Sequence, residues 1–227
     1  MVKKKVIEKI NNTREKINLI DFDAHWYRRV FHAFGASFIF YYVLPDLEWI
    51  NILKIIIPAV IVIIAILLEI LRVKGLVSSS HFFGLRMYEK KRIGSYVFFA
   101  VGIIILLMFF PQQIAIPCIL CACLGDPIIG EIRNRFSKKY VYIIGFLTCT
   151  SFFLISWYSV SLNLLIFVSI VGGLGAVIGE TKKIYWLDDD FMIQILPAIL
   201  IGIIWVSIPY LGLTYPDIII HPFNWPW

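Results

Sequence analysis

Long apolar blocks, separated by short polar stretches, run along almost the whole chain. The hydrophobic residues within a block are continuous, and most blocks approach the roughly 20 residues that an α-helix needs to cross a bilayer. Ten-residue segments of alternating hydrophobicity, typical of transmembrane strands, do not occur. The pattern predicts an all-α, polytopic membrane helical bundle of about seven transmembrane helices, at residues 30–45, 50–71, 95–110, 112–130, 141–159, 162–179 and 191–211.

Composition supports the membrane assignment. Hydrophobic residues make up 60% of the 227 residues and charged residues only 16%, whereas soluble domains contain about 25% charged residues. The predicted helices use nearly the whole chain, so we expect a single transmembrane domain at residues 28–211 and no separate soluble domain. Residues 212–227 are expected to form a short external tail.

Residues 1–27 are a basic segment without the apolar core and small-residue cleavage site of a removable signal peptide. A short helix lying on the membrane surface, with its lysines among anionic headgroups, fits this composition. A solvated basic tail that helps to set the topology fits it equally well. Both interpretations stay open.

The basic residues predict the orientation of the bundle, because cytoplasmic loops accumulate lysine and arginine. Of the 21 basic residues, 20 fall before the first predicted helix or in every second loop, and only Lys54 lies elsewhere. The N-terminus is therefore predicted to be cytoplasmic and the C-terminus external. Topology and lipid account for the net charge of +6, so no nucleic-acid partner is expected. The oligomeric state stays undetermined.

Ionisable residues gather at the predicted cytoplasmic ends of the helices. An ionisable group near the hydrocarbon costs on the order of 3 kcal/mol and usually marks a pathway or a site. Arg29 and His32 share one helical stripe there, and Glu89 and Arg92 form an i, i+3 pair. An arginine at a helix end also serves as an interfacial anchor, and a buried histidine can be purely structural. None of these residues decides the function alone.

Asp126 lies in the apolar stretch "LGDPIIG". Pro127 cannot continue the hydrogen bonding of the preceding turn, and Gly125 and Gly130 let the backbone deviate, so a broken helix is expected near Asp126. A basic cluster follows within a few residues, which would place an acid that binds metal beside groups that bind anions. Mg²⁺ is typically held by one or two carboxylates together with substrate phosphates. A structural helix cap is the alternative role. The basic cluster comprises Arg133, Arg135, Lys138 and Lys139.

The run "WLDDDF" contributes three adjacent carboxylates at the start of the last predicted helix. One aspartate can cap the helix, but three repel one another unless cations neutralise them. A divalent metal is therefore the economical hypothesis. Just upstream, "VGGLGAVIGE" places small residues on one helix face, where another helix can approach closely, and Glu180 at the end of that face belongs to the same polar layer.

The succession "RRVFH", "LEILR", "MYEKKRIGS", "LGDPIIGEIRNRFSKK" and "GETKKIYWLDDDF" resembles the motifs of the CTP-dependent polyprenol kinases, a family that includes dolichol kinase and phytol kinase. The resemblance spans roughly residues 28 to 197. It implies an Mg²⁺-dependent transfer of the γ-phosphoryl group of CTP to an isoprenoid lipid alcohol at the cytoplasmic face. The positions that it implies as site residues are Arg29, His32, Glu89, Arg92, Gly125, Asp126, Gly130, Arg133, Lys138, Glu180, Asp188 and Asp189.

Within this resemblance, Asp126, Asp188, Asp189 and Glu180 are assigned to the metal, and Lys138, Arg92 and Arg133 to phosphates. The catalytic assignments are Asp126, Asp189 and His32, with His32 or an acid orienting the alcohol. The chain departs from the family pattern in three ways. The Ser-x-Glu-Gly that commonly follows the lysine of the Gly-Asp-Pro motif is reduced to Gly145, Asp190 takes the place of an asparagine, and Gln194 takes the place of a proline. A CTP-dependent cytidylyltransferase of the CDP-diacylglycerol synthase type is the closest alternative, and a small transporter is a third.

Overall fold

Helices make up most of the computed structural model, which describes residues 29–77, 92–133, 135–181 and 187–223. We number the described helices α1 to α8, with α1 covering the helical residues 29–35. A 3₁₀ helix, Ala36–Tyr42, continues α1, and a second, Pro209–Leu211, follows α8. No strand occurs among the described residues. The remaining helices are α2 (Glu48–Val73), α3 (Ser95–Phe109), α4 (Gln112–Leu120), α5 (Asp126–Arg133), α6 (Lys138–Ser156), α7 (Leu162–Thr181) and α8 (Asp189–Ser207).

Five helices in the described ranges are long and apolar enough to cross a membrane. They are α2, the continuous helix Gln112–Arg133, α6, α7 and α8, which confirms the prediction of a multi-pass helical protein. Helix α3 is apolar but has 15 residues, which at 1.5 Å per residue is roughly 22 Å. The first predicted span, 30–45, is occupied by α1 and the 3₁₀ helix. A count of seven spans and the orientation of the termini stay predictions, and the basic segment 1–27 lies outside the described residues.

Helix Gln112–Arg133 lies at the centre of the bundle and α2 at its edge. Within the most apolar 18-residue stretch of each helix, 67% of the residues of the central helix are buried, compared with 6% of those of α2. The apolar side chains of α2 therefore face outwards, as expected of a helix surrounded by lipid. Helix α7 packs between α6 and α8, and the central helix packs against α3, α6 and α8.

Close helix packing depends on the small residues of α7, as the sequence predicts. A Cβ atom on Gly179 would collide with the backbone carbonyl of Met192 in α8, so only glycine allows this approach. The contact holds the end of α7 against the first turns of α8. Because the connections 134–137 and 157–161 are short, successive helices run antiparallel. The end of α5, the end of α7 and the start of α8 consequently lie at the same end of the bundle.

The predicted break near Asp126 is wrong in form, because the backbone stays helical throughout. A π-helical segment, Cys121–Gly125, joins α4 to α5, and the Asp126 amide donates to the carbonyl of Cys121, five residues earlier. In a regular α-turn the Ala122 carbonyl would accept from the Asp126 amide, but that amide bonds to Cys121 instead. In a π-turn the Ala122 carbonyl would accept from the amide of residue 127, but Pro127 has no N–H. The proline thus widens the helix and frees one carbonyl.

At the opposite end of the bundle, the predicted external tail packs across the start of α4. The side chain of Gln112 accepts from the Ile220 amide at 2.9 Å and donates to the Ile220 carbonyl at 3.2 Å. Gln113 donates to the Asp217 carbonyl at 3.2 Å. These bonds fix residues 216–220 about 30 Å along the central helix from Arg133, at 1.5 Å per residue.

Candidate functional site

Three side chains from three different helices converge where α1, α5 and α8 meet. His32 Nδ1 lies 3.7 Å from Asp126 Oδ2, and His32 Nε2 lies 3.8 Å from Asp190 Oδ2. One potential ligand atom from each residue falls within 4.8 Å of the others. His32 is 3% exposed and Asp190 1%, whereas Asp126 is only partly buried. An imidazole and two carboxylates in this arrangement are able to hold a divalent cation.

The His32 ring is held by the π-helical segment and by α3. Its Nδ1 atom lies 3.4 Å from the Ala122 carbonyl, the one that Pro127 leaves without a helical donor. The Phe99 ring lies against the imidazole, with 4.5 Å between the ring centroids. The contact with the carbonyl favours the tautomer that carries its proton on Nδ1, which leaves the Nε2 lone pair on the side of Asp190, and the Phe99 contact limits rotation of the ring.

Of the three aspartates at the start of α8, one caps the helix, and all three lie close to one another. The Asp188 side chain caps the helix by accepting from the Asp190 amide at 3.2 Å. Ligand atoms of Asp188, Asp189 and Asp190 also lie within 4.8 Å of one another. Burial raises the pKa of the Asp188 carboxyl to about 8, with a hydrogen bond to Asp189 and the charge of Asp190 adding to the effect. Such crowding of carboxylates favours a bound cation.

The Gln194 side chain links the backbone at Asp190 to the backbone of α3. The sequence did not reveal this role. Gln194 Nε2 donates to the Asp190 carbonyl at 2.8 Å and to the Phe99 carbonyl at 3.2 Å. The side chain is fully buried, and a Cβ on Gly102 would collide with it. The sequence offered one signal, since an amide within an apolar helix requires partners.

Glu180 lies at the end of α7, near both carboxylate groups. It is 4% exposed, and it is close enough to Asp126 and Asp189 for their charges to interact. One of its oxygens accepts an ion-paired hydrogen bond from Arg133. The other, Oε2, is buried and has no hydrogen-bond partner among the described residues. The predicted metal ligand Glu180 and the predicted phosphate ligand Arg133 therefore pair with each other.

Arg29 is tied to the outer side of this site. Its guanidinium forms an ion pair with Glu131 of α5, and Arg135 contacts the same carboxylate at 2.6 Å. These contacts hold α1 to α5 and keep His32 next to Asp126. The prediction that Arg29 contacts a nucleotide is not tested by this arrangement.

The remaining predicted residues lie around the site without joining the carboxylates. Lys138 is exposed at the start of α6, and within the described ranges no hydrogen bond or ion pair links it to the acids. Arg92 is exposed just before α3, and its carbonyl accepts from Arg72. Gly125 is buried within the π segment, and Gly130 has open space beside it. Glu89 lies outside the described residues.

A second buried polar cluster joins α2 to the start of α3. Arg72 Nη2 and Nε donate to the two oxygens of Glu69 at 2.6 and 2.8 Å, and Tyr96 donates to Glu69 at 2.6 Å. The Gly94 amide donates to the same carboxylate. Glu69 and Arg72 are three residues apart, so one turn of α2 brings them together, and their contacts with Gly94 and Tyr96 anchor α2 to the start of α3.

The site contains more acidic than basic side chains in the described part of the chain. Arg133 pairs with one of the acids, Glu180. An excess of neighbouring acids is typical of sites that bind cations. The carboxylates are Asp126, Glu180, Asp188, Asp189 and Asp190.

Comparison with known proteins gives no match. No protein-family model matches the chain, and neither the curated proteins nor the solved structures contain a significant match.

Proposed function

We propose that the protein is a membrane-bound, Mg²⁺-dependent kinase that transfers the γ-phosphoryl group of CTP to the hydroxyl of an isoprenoid lipid alcohol at the cytoplasmic face. The proposal joins the motif resemblance to one structural observation. His32, Asp126 and Asp190 are far apart in the sequence, yet they meet in one cluster. That cluster includes both the Gly-Asp-Pro motif and the late acidic motif.

Charge and position are what phosphoryl transfer requires from a protein. Asp126 and Asp189 would hold Mg²⁺, which neutralises the phosphates when it is bound. Arg133 is half exposed at the rim, where it can turn from Glu180 towards a phosphate. Lys138 and Arg92 are exposed cations at the same end of the bundle and would attract the triphosphate. His32 or a carboxylate of the cluster would orient the hydroxyl.

The location of the cluster suits a lipid substrate. Asp126 is partly exposed and belongs to Gln112–Arg133, a helix long and apolar enough to cross a membrane, so a reachable carboxylate lies within an apolar part of the bundle. An alcohol with a long apolar chain can keep its tail in the bilayer and bring only its hydroxyl to the acids. A soluble acceptor would need no such apolar surroundings.

The test uses purified full-length protein in lipid nanodiscs with γ-³²P-labelled CTP, Mg²⁺ and a panel of prenols of different chain lengths. The expected products are CDP and a labelled prenyl monophosphate. Release of pyrophosphate with formation of a CDP-lipid would instead identify a cytidylyltransferase. Absence of labelled lipid with every alcohol, from a monodisperse preparation, would refute the kinase.

A further inference from the structure

The cluster of His32, Asp126 and Asp190 offers an imidazole nitrogen as well as carboxylate oxygens. Carboxylate oxygens are typical ligands of Mg²⁺, Ca²⁺ and Mn²⁺, whereas an imidazole nitrogen binds first-row transition ions far better than it binds Mg²⁺. His32 Nε2 lies 3.8 Å from Asp190 Oδ2, and Asp126 Oδ2 lies 3.7 Å from the other ring nitrogen, Nδ1. One ligand atom from each of the three residues lies within 4.8 Å of the others. Ligand atoms around one ion with bonds of about 2.1 Å lie roughly 3 to 4 Å apart, and the separation between Nε2 and Asp190 matches that range.

A buried, unpartnered oxygen provides a second indication of a ligand. Glu180 Oε2 has no hydrogen-bond partner in the described part of the chain. The side chain is only 2% exposed, so bulk water does not supply the missing donor. The oxygen belongs to a residue whose charge interacts with that of Asp126. A buried carboxylate oxygen without a donor costs free energy, and a cation beside Asp126 would offset that cost.

The surroundings of His32 also match those of a metal ligand. Histidines that bind metals usually donate the N–H of the other ring nitrogen to a backbone carbonyl or a carboxylate. Here Nδ1 faces the Ala122 carbonyl, which Pro127 leaves without a helical donor. The Phe99 ring packs on the imidazole and restricts its rotation. The π-helical segment thus orients the Nε2 lone pair towards Asp190.

We infer that His32 Nε2, Asp126 and Asp190 form a site for a divalent transition metal ion, with Mn²⁺ bound in preference to Mg²⁺. The site shares Asp126 with the proposed kinase but does not depend on nucleotide or alcohol. Asp190, which replaces the asparagine of the resembled family, supplies the second carboxylate. As a metal ligand, His32 cannot also accept the proton of the alcohol, so that role passes to a carboxylate.

The experiment measures Mn²⁺ binding to the full chain in detergent micelles, without nucleotide and with an affinity tag that contains no histidine. Titration followed by electron paramagnetic resonance is expected to show one saturable Mn²⁺ site, which Mg²⁺ displaces only at a concentration at least about 10-fold higher. Pulsed measurements of the bound ion are expected to detect coupling to a ¹⁴N nucleus. Labelling the protein with ¹⁵N-histidine should replace that signal with the ¹⁵N pattern.

Two variants complete the test. His32→Gln is expected to lose the nitrogen coupling and at least about 10-fold in Mn²⁺ affinity, and His221→Gln, which alters an exposed histidine of the tail, should keep both. The labelled wild-type protein carries the test even if His32→Gln does not fold. Absence of a saturable Mn²⁺ site, or a bound ion without histidine coupling, would overturn the inference. Either result would refute the metal site without refuting the kinase, which the assay with CTP and prenols tests separately. A negative result in that assay would in turn leave the Mn²⁺ binding experiment valid.

Discussion

Arg133 at the end of α5 forms an ion pair with Glu180 at the end of α7, and the two partners differ sharply in exposure. The arginine side chain is 51% exposed, whereas the glutamate side chain is 2% exposed. The pair therefore joins a buried acid to a cation that solvent and substrates can reach. The carboxylate is held in place, and the guanidinium is free to exchange partners.

Removing this arginine should destabilise the protein. In Arg133→Gln the buried Glu180 carboxylate loses its charged partner, and the free energy of unfolding should fall by about 1 to 3 kcal/mol. Unfolding in mixed micelles, followed by circular dichroism, measures the loss. Lys138→Gln, which removes an exposed cation of the same end of the bundle, is the matched control. The double variant Arg133→Gln/Glu180→Gln should regain stability relative to Arg133→Gln, and equal stability of Arg133→Gln and Lys138→Gln would contradict the argument.

Asp126→Asn tests the proposed chemistry at its central residue. The amide keeps the shape of the side chain but removes its charge, so phosphoryl transfer from CTP should slow by at least about 100-fold, as when a key electrostatic contact is lost. Initial rates with the preferred prenol measure the effect. Asp217→Asn, an exposed aspartate of the tail, should retain the wild-type rate. A near-normal rate in Asp126→Asn would remove this residue from the mechanism.

Gly102 and Gln194 should show strongly non-additive effects on stability. Gly102→Ala places a methyl group against the Gln194 amide, so we expect it to lower the free energy of unfolding by about 1 to 3 kcal/mol. In a Gln194→Ala background the same methyl group enters vacated space and should cost much less. Gly130→Ala, where nothing lies within 4 Å of the added Cβ, should be neutral or stabilising. Equal costs of Gly102→Ala in both backgrounds would exclude this contact.

Glu69→Gln should be more harmful than most polar substitutions in the protein. The Arg72 side chain is 0% exposed, and the change removes the negative charge that compensates its guanidinium. Breaking a buried ion pair in this way typically costs about 3 to 5 kcal/mol. Thermal unfolding in detergent measures the effect, and Glu48→Gln, at the exposed opposite end of α2, is the control. Similar midpoints for the two variants would show that the buried pair does not anchor α2 to α3.

The sequence predicted the helices well where hydropathy alone determines them. The predicted span 162–179 corresponds to α7, Leu162–Thr181, and the predicted packing role of Gly179 is confirmed by its contact with Met192. A continuous apolar block leaves a chain in lipid no other way to satisfy its backbone. The same argument is weak for residues 30–45, where the block is shorter and the structure has a short helix followed by a 3₁₀ helix.

The details of the site were harder to predict, because they depend on packing between helices. Successive residues of a helix point about 100° apart, so the order Asp188, Asp189, Asp190 does not say which carboxylate will meet His32. The structure selects Asp190, since Gly179 and Gln194 fix how α8 lies against α7 and α3. Likewise, Pro127 predicted a local disruption but not that a wider turn would absorb it.

The wider turn at Cys121–Gly125 has an evolutionary consequence. A π turn contains one residue more than an α turn, and the helical segments on either side keep the same faces towards their neighbours. The extra residue therefore has the effect of a single-residue insertion confined to this turn. A homologous chain shorter by one residue here would retain the packing of both flanking helices and form an ordinary α-helix. In such a chain the Ala122 carbonyl would be bonded within the helix, and the histidine would have to find another acceptor. The length of this stretch is therefore a marker by which chains that keep the histidine contact can be told from those that do not.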